Sequence, residues 1–317
     1  MPTDERAPRL HVVTGKGGTG KTTVSGALAL GLATGGRRVL LAEVEERQGI
    51  SQLFDAPPLP YSETRLAATS RGEVFGLSVD AEAAMLEYLE MFYSMKRAGA
   101  ALRKMGAIDF VTTIAPGLRD VLLTGKVKEA VTRTERSGRP SFDAVVLDAP
   151  PTGRITQFLQ ATHEVAGLTK MGPIHRQSQG VIELLHSDRT RVHIVTLLEE
   201  MPVQETLDAA AELRAAGYRI GRVIVNRARP VLVSAGAPSP ALLAEGLTAA
   251  GLDPALAPAL AEEASNYSRR QDVQAAAAAE LEQVGVPIHR LPEVAPPVDL
   301  SCLFELAEVL DVGVWSA

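Results

Sequence analysis

The residues that decide the fold are 15–22, which read Gly-Lys-Gly-Gly-Thr-Gly-Lys-Thr. This spacing matches, without a gap, the pattern G-x-x-x-x-G-K followed by Ser or Thr. Glycines in such a loop let the backbone curl so that successive N–H groups point at phosphate oxygens. The helix that follows offers its positive N-terminus to the same anion. The pattern predicts a phosphate-binding loop, with Lys21 at the β- and γ-phosphates and the Thr22 hydroxyl on Mg²⁺.

The segments around this loop alternate between strand and helix patterns. Residues 10–14 form an apolar run before the loop, residues 23–33 have a helical pattern, and residues 38–43 form a second apolar run. A strand, loop, helix and strand in this order predict a βαβ unit and a parallel sheet. A surface loop is predicted at 55–65, and further strands at 74–79, 144–148, 192–197, 222–226 and 287–291.

The whole pattern is typical of an α/β fold, with a doubly wound, mostly parallel sheet in a single domain over residues 1–317. Two stretches, 81–136 and 160–188, each have a helical pattern with no predicted strand inside. We expect them to form a helical subdomain inserted into the sheet domain. The later helices are expected to begin near Pro202, Pro240 and Pro254, and after Asp299.

The same loop also satisfies a second motif. Its glycines at 15, 17 and 20 spell G-x-G-x-x-G, the fingerprint of dinucleotide binding, and Glu43 ends the next strand. That fingerprint does not need Lys-Thr after its last glycine, whereas a mononucleotide loop does. A mononucleotide site also needs an aspartate at the end of another strand, and Asp148 follows the apolar residues 144–147. The sequence favours the mononucleotide site, with Thr22 and Asp148 at the metal.

Composition excludes several classes of function. The hydrophobic fraction of 46% and charged fraction of 22% are ordinary for a globular protein. A net charge of −6 argues against a nucleic-acid partner. Cys302 is the single cysteine, which excludes an intrachain disulfide and a cysteine metal cluster. No apolar run is long enough to span a membrane, and we expect a cytoplasmic protein without direct membrane insertion.

Several stretches together resemble one known family. Residues 16–23 resemble the deviant Walker A loop, in which a second lysine, here Lys16, precedes the usual one. Residues 148–159, which begin Asp-Ala-Pro-Pro-Thr-Gly, resemble a switch II segment. Residues 115–120 resemble a Pro-Gly motif, and residues 224–226 a strand whose asparagine reads adenine. On these motifs the chain is similar to the arsenical-pump and tail-anchored-protein-targeting ATPases.

The resemblance implies a dimeric ATPase that uses ATP and Mg²⁺. It makes Lys16, Lys21, Glu45 and Asp148 catalytic, with Lys16 reaching the phosphates of the opposite subunit. Switch I, at about residues 44–54, and switch II, residues 148–154, would move with the γ-phosphate and shift the helical region. The residues assigned to nucleotide contact are Gly15, Gly17, Gly18, Thr19, Gly20, Lys21, Thr22, Thr23, Asn226, Leu291 and Pro292.

Two departures from the family pattern keep alternatives open. Glu45 aligns with the family's water-activating aspartate, and its extra methylene would place the water less well. The chain could therefore be a poorly hydrolysing subunit that completes a heterodimer with a paralogous ATPase. The family's metalloid-binding and zinc-clip cysteines are missing, which argues against arsenite as a direct ligand.

The partner of the helical region also has two interpretations. Met85, Tyr88, Phe92 and Met95 follow helical spacing and share one face. Such a face is either the core of the helical subdomain or a surface for an apolar protein client or a membrane-associated partner.

Overall fold

The computed structural model describes residues 8–45, 47–93, 116–168, 173–232 and 238–310. Its strands form one eight-stranded sheet. Their bounds are Leu10–Gly15 (β1), Arg38–Glu43 (β2), Thr64–Ala68 (β3), Glu73–Ser78 (β4), Ala144–Asp148 (β5), Thr190–Thr196 (β6), Ile220–Ala228 (β7) and Ile288–Pro292 (β8). The spatial order is β3-β4-β2-β5-β1-β6-β7-β8, and every neighbouring pair is parallel except the antiparallel pair β3–β4.

Helices connect these strands and cover both faces of the sheet. The described helices are Lys21–Thr34 (α1), Gly49–Leu53 (α2), Ala81–Tyr93 (α3), Pro116–Thr132 (α4), Thr152–Leu168 (α5), Pro173–His186 (α6), Glu200–Ala215 (α7), Pro240–Ala249 (α8), Ala257–Leu281 (α9) and Leu300–Leu310 (α10). This arrangement confirms the predicted α/β fold with a doubly wound, mostly parallel sheet.

The central strands are apolar throughout because they are buried on both faces. Every residue of β1 is buried, and its side chains alternate between the two cores. Val12 packs into a core with Phe158 of α5. Val13 packs into the opposite core with Leu28 of α1 and Leu303 of α10. Since β1, β2 and β5 are parallel neighbours, their carboxyl ends lie at one edge, which is where the phosphate-binding loop begins.

Several element boundaries differ from the sequence predictions by a few residues, and the structure gives a clear cause for two of the differences. The stretch 55–65 was expected to be a surface loop throughout, but β3 begins at Thr64. This strand lies at the edge of the sheet and is only half-buried, so its sequence lacks a strong apolar signal. Helix α1 begins at Lys21 rather than at residue 23, because the loop ends directly at Gly20, whose φ is 90°.

The helical stretches are described only in part. Helices α3 and α4 fall within 81–136, and α5 and α6 cover most of 160–188. Met95, Met105 and Met171 lie outside the described residues, as do the side chains of Tyr88, Met91 and Phe92. The methionine-containing face and the inserted subdomain therefore stay predictions. No helix among the described residues is long and apolar enough to cross a membrane.

Two histidines lie inside the sheet, on neighbouring strands. His11 of β1 and His193 of β6 are both buried, and Nδ1 of His11 lies 3.1 Å from Nε2 of His193. Burial, and then the positive charge of Arg37, lowers the pKa of His11 from 6.5 to about 3. Burial and the neighbouring His11 also lower the pKa of His193 well below its ordinary value. Both rings are therefore neutral in the folded protein near neutral pH.

We expect this pair to make the protein sensitive to acid. The unfolded chain takes up protons on these rings near pH 6.5, whereas the folded chain does not until about pH 3 for His11. Stability is therefore fully present above pH 6.5 and is lost as the pH falls, by about 1.4 kcal/mol per pH unit for each buried histidine. The measurement is the free energy of unfolding between pH 7 and pH 5. His11→Gln should flatten this slope, while His163→Gln, at an exposed histidine, should change it much less.

Candidate phosphate-binding and switch site

The loop between β1 and α1 depends on glycine at specific positions. A Cβ on Gly15 would lie 2.1 Å from the carbonyl oxygen of Val195 on β6, so only glycine lets the two backbones approach. Gly18 and Gly20 have φ values of +87° and +90°, a backbone conformation that other residues rarely adopt. The loop is closed by Thr19, whose hydroxyl donates to the Lys16 carbonyl at 2.9 Å. Its curvature is therefore set by the backbone.

The N-terminus of α1 faces this loop. Within the described part of the chain, no side chain caps this end at Gly20, and the first turn carries no acidic residue. The first N–H groups of a helix need an acceptor, and a phosphate group supplies one. The geometry of α1 therefore suits an anion at the loop, as the sequence motif predicts.

The Asp148 carboxylate joins β5 to the loop. Thr22 Oγ1 donates to Asp148 Oδ2 at 2.7 Å, and Ser25 Oγ lies 3.4 Å from Asp148 Oδ1. Burial raises the pKa of Asp148 to about 6, against the opposing effects of the Thr22 hydrogen bond and the Lys21 charge. Burial likewise lowers the pKa of Lys21, against the attraction of Asp148 and Glu45. The two predicted metal-site residues are thus in direct contact.

A small cavity of about 50 Å³ lies next to this contact, and we call it the phosphate-site cavity. It is lined by Lys21, Thr22, Glu43, Glu45, Arg47, Gly49 and Asp148. Hydroxyl and carboxylate oxygens are the ligands that Mg²⁺ prefers, usually one or two from the protein together with substrate phosphates. The donor set of Thr22 and Asp148 fits that ion. Glu45 also lines the cavity, and its assignment to the attacking water stays a prediction.

Two further residues, which the sequence does not place at the phosphates, line the same cavity. Glu43 is buried, and its carboxylate accepts hydrogen bonds from the backbone N–H of Gln48 at 2.8 Å and of Ile50 at 3.3 Å. It therefore holds the switch I loop to the end of β2. Arg47 lines the cavity with an exposed side chain, and its Nε lies 3.8 Å from Glu45 Oε2.

Lys16, the second lysine of the loop, forms an ion pair within its own chain. Its Nζ lies 2.6 Å from Glu205 Oε1 on α7, and both side chains are about one-third exposed. The other carboxylate oxygen, Oε2, accepts a hydrogen bond from Thr152 Oγ1 at 3.1 Å. Glu205 therefore connects the phosphate-binding loop to the end of switch II.

Asn226, the predicted adenine-reading residue, contacts the loop directly. Its Nδ2 donates to the Thr19 carbonyl at 2.9 Å, and its Oδ1 accepts from the backbone N–H of Arg227. Asn226 also lines a second cavity, of about 560 Å³. Its other lining residues include Leu198, Glu199, Arg227, Arg229, Arg269, Arg270, Val273 and Glu293.

The structure separates the two other predicted nucleotide contacts from that second cavity. The Leu291 side chain is fully buried in the core. Pro292 is exposed at the end of β8, and the residue that lines the cavity is its neighbour, Glu293. The assignment of Leu291 and Pro292 to the nucleotide stays a prediction.

Switch II is also tied to the helical region. Arg154, at the start of α5, places its Nη2 2.8 Å from Asp120 Oδ1 on α4, and the Asp120 side chain is 4% exposed. Burial raises the pKa of Asp120, while the Arg154 charge opposes this shift. Asp120 lies in the Pro-Gly motif at 115–120 and Arg154 in the segment 148–159, but the sequence does not show that the two side chains meet. Ser25 and Glu205 were missed for the same reason, since they meet Asp148 and Lys16 only through tertiary packing. Arg47 was missed because no motif assigns it a role.

The glycines of the loop provide a matched stability test. Gly15→Ala should destabilise the fold by about 2–3 kcal/mol, because its Cβ would collide with the Val195 backbone and the strands would have to shift. Gly17→Ala is the control, because its Cβ would meet no atom within 4 Å. Chemical unfolding of both variants measures the difference. Equal stabilities would show that the backbones of Gly15 and Val195 are not in close contact.

Comparison with known proteins identifies the family of this chain. The family model described as anion-transporting ATPase matches residues 9–187. The chain is 52% identical to the ATPase BagA of Mycobacterium tuberculosis over 313 residues, which cover 95% of this chain and 92% of that protein. It is 26% identical over 256 residues to an arsenical pump-driving ATPase of Escherichia coli, covering 71% of this chain and 40% of that protein. The chain belongs to the anion-transporting ATPase family and is an ATP-hydrolysing enzyme.

Proposed function

We propose that this ATPase is magnesium-dependent, acts as a dimer, and uses its nucleotide state to switch a helical region that binds a client or partner. One observation carries the proposal. Lys21, Thr22, Glu45 and Asp148, which come from three separate segments of the chain, all line the phosphate-site cavity. Phosphoryl transfer to water depends mainly on positioning and electrostatic stabilisation, and these side chains provide both.

Each residue of the cavity has a defined part in this proposal. Lys21 offsets the charge of the β- and γ-phosphates. Thr22 and Asp148 would hold Mg²⁺, which neutralises phosphate charge when bound. Glu45 orients the attacking water, and Arg47 adds a cationic side chain at the same cavity. Asn226 and the second cavity accommodate the base and ribose, which the contact of Asn226 with Thr19 supports.

Coupling to the helical region follows from two contacts of switch II. Arg154 pairs with the buried Asp120 on α4, so displacement of switch II would pull on that helix. Thr152 donates to Glu205 on α7. Loss of the γ-phosphate would therefore be transmitted to α4 through a charged hydrogen bond about 2.8 Å long.

The proposed dimer places Lys16 of one subunit at the phosphates of the other, as the family resemblance implies. A second possibility is a poorly hydrolysing subunit that completes a heterodimer with a paralogous ATPase. The observation that favours it is Glu45, whose side chain stands where the family has a shorter aspartate. Apolar proteins or membrane-associated proteins are the proposed clients. The single cysteine supports the proposed cytoplasmic location.

The magnesium assignment has a direct test. Asp148→Asn keeps the size of the side chain but removes its charge, so magnesium-dependent ATP turnover should fall at least about 100-fold. Steady-state phosphate release measures it. Asp188→Asn, at a 73% exposed carboxylate, should retain wild-type turnover. Survival of turnover in Asp148→Asn would refute the role of Asp148 at the metal.

The oligomeric state is tested by the dependence of turnover on protein concentration. For a homodimer with Lys16 acting across the interface, turnover per chain should rise with concentration and saturate. Lys16→Ala should lower the plateau. If the chain binds ATP but turns it over only after a paralogous ATPase is added, the heterodimer interpretation replaces the homodimer.

A further inference from the structure

The Glu205 carboxylate is shared between the phosphate-binding loop and switch II. One of its oxygens lies 2.6 Å from the Lys16 ammonium, and the other accepts the Thr152 hydroxyl at 3.1 Å. Because both oxygens are engaged at once, Glu205 contacts the Lys16 side chain and switch II together, and the proposed mechanism requires both of them to move. No role of Glu205 follows from the sequence motifs, since it stands in α7, beyond both switch segments.

Helix α7 provides a fixed point for this contact. Val203 is fully buried, and the buried Thr206 donates to the carbonyl of Pro202. Lys16, in contrast, lies between Gly15 and the exposed Gly17, and Gly18 beyond them is also exposed. Lys16, on a glycine-rich loop, has more freedom to move than Glu205 on a packed helix. The position of Glu205 therefore determines the position of the Lys16 ammonium group.

We propose that Glu205 is a positioning residue that holds Lys16 on its own subunit, so that assembly of the active dimer has to compete with this ion pair. The inference rests on the proposed function, in which Lys16 acts across the interface. One ammonium group cannot contact Glu205 and the phosphates of a facing subunit at the same time. Since Thr152 belongs to switch II, movement of that segment changes the hydrogen bonding of the same carboxylate and links the position of Lys16 to the nucleotide state.

The size of the effect follows from the exposure of the pair. Both side chains are about one-third exposed, so solvent screens their attraction. Such pairs shift an equilibrium by about fivefold or less. The contact is therefore weak enough to be broken by a nucleotide and a partner, but strong enough to raise the concentration at which dimers form.

Helix α7 also offers a matched control. Glu212 lies on the same helix, and its Oε2 accepts a hydrogen bond from Thr156 Oγ1 of α5 at 3.3 Å. Glu212→Gln therefore removes the same charge from α7 and perturbs the same kind of threonine contact. It leaves the ion pair of Lys16 in place.

The contact itself is tested by competitive labelling of the full chain without nucleotide. Acetic anhydride acetylates free lysine amines, and mass spectrometry gives the rate at Lys16. Glu205→Gln should raise that rate about three- to fivefold, whereas Glu212→Gln should leave it unchanged. An unchanged rate in Glu205→Gln would overturn the proposal, whatever the oligomeric state proves to be.

The consequence is tested by the protein concentration that gives half-maximal turnover in saturating Mg-ATP. Glu205→Gln should lower this half-maximal concentration about three- to fivefold, the same factor by which it raises the labelling rate. In a Lys16→Ala background, Glu205→Gln should produce no further shift, whereas a merely structural role of Glu205 would still produce one. If Glu205→Gln speeds labelling but leaves the half-maximal concentration unchanged or raises it, the proposal that dimer assembly competes with the Lys16–Glu205 ion pair is wrong. Turnover that does not depend on concentration would instead overturn the proposed homodimer, and labelling alone would then decide the contact.

Discussion

The contact on which the site depends is the hydrogen bond between the Thr22 hydroxyl and the buried carboxylate of Asp148. It joins the first turn of α1 to the end of β5, and it brings a carboxylate and a lysine of the loop into one poorly solvated region. A buried charge is costly unless it is paired and hydrogen-bonded. β5 can therefore end in the buried carboxylate of Asp148 because the Thr22 hydroxyl and the Lys21 charge lie beside it.

Burial separates the fixed parts of the site from the movable ones. Glu43 is buried and holds the switch I loop through backbone N–H groups, and Asn226 holds the phosphate-binding loop through the Thr19 carbonyl. The contacts of Lys16 and Arg47 lie nearer the surface, with partly or largely exposed side chains. Such contacts are weakened by solvent and break readily. This distribution suits a nucleotide site whose backbone is held by buried contacts, while the exposed side chains of Lys16 and Arg47 can change partners.

The same principle explains how the site is connected to the helices. The pair of Arg154 and Asp120 combines an exposed guanidinium with a carboxylate that is 4% exposed. Breaking it would leave a buried charge without a partner, which costs much more than breaking a surface pair. Switch II and α4 are therefore expected to move together, whereas Lys16 can leave Glu205 at a small cost.

Local sequence determined much of this protein. Glycines at fixed spacing and apolar runs before Gly15 and Asp148 were enough to predict the loop, the central strands and the meeting of Thr22 with Asp148, because parallel strands end at a common edge. The edge strand β3 was missed, because a half-buried strand carries little apolar pattern. The pairing of Lys16 with Glu205 and of Arg154 with Asp120, and the meeting of His11 with His193, were decided only by the tertiary structure. These partners are far apart in the chain, and which charged or polar side chains meet depends on how helices and strands pack, a property that no local spacing encodes.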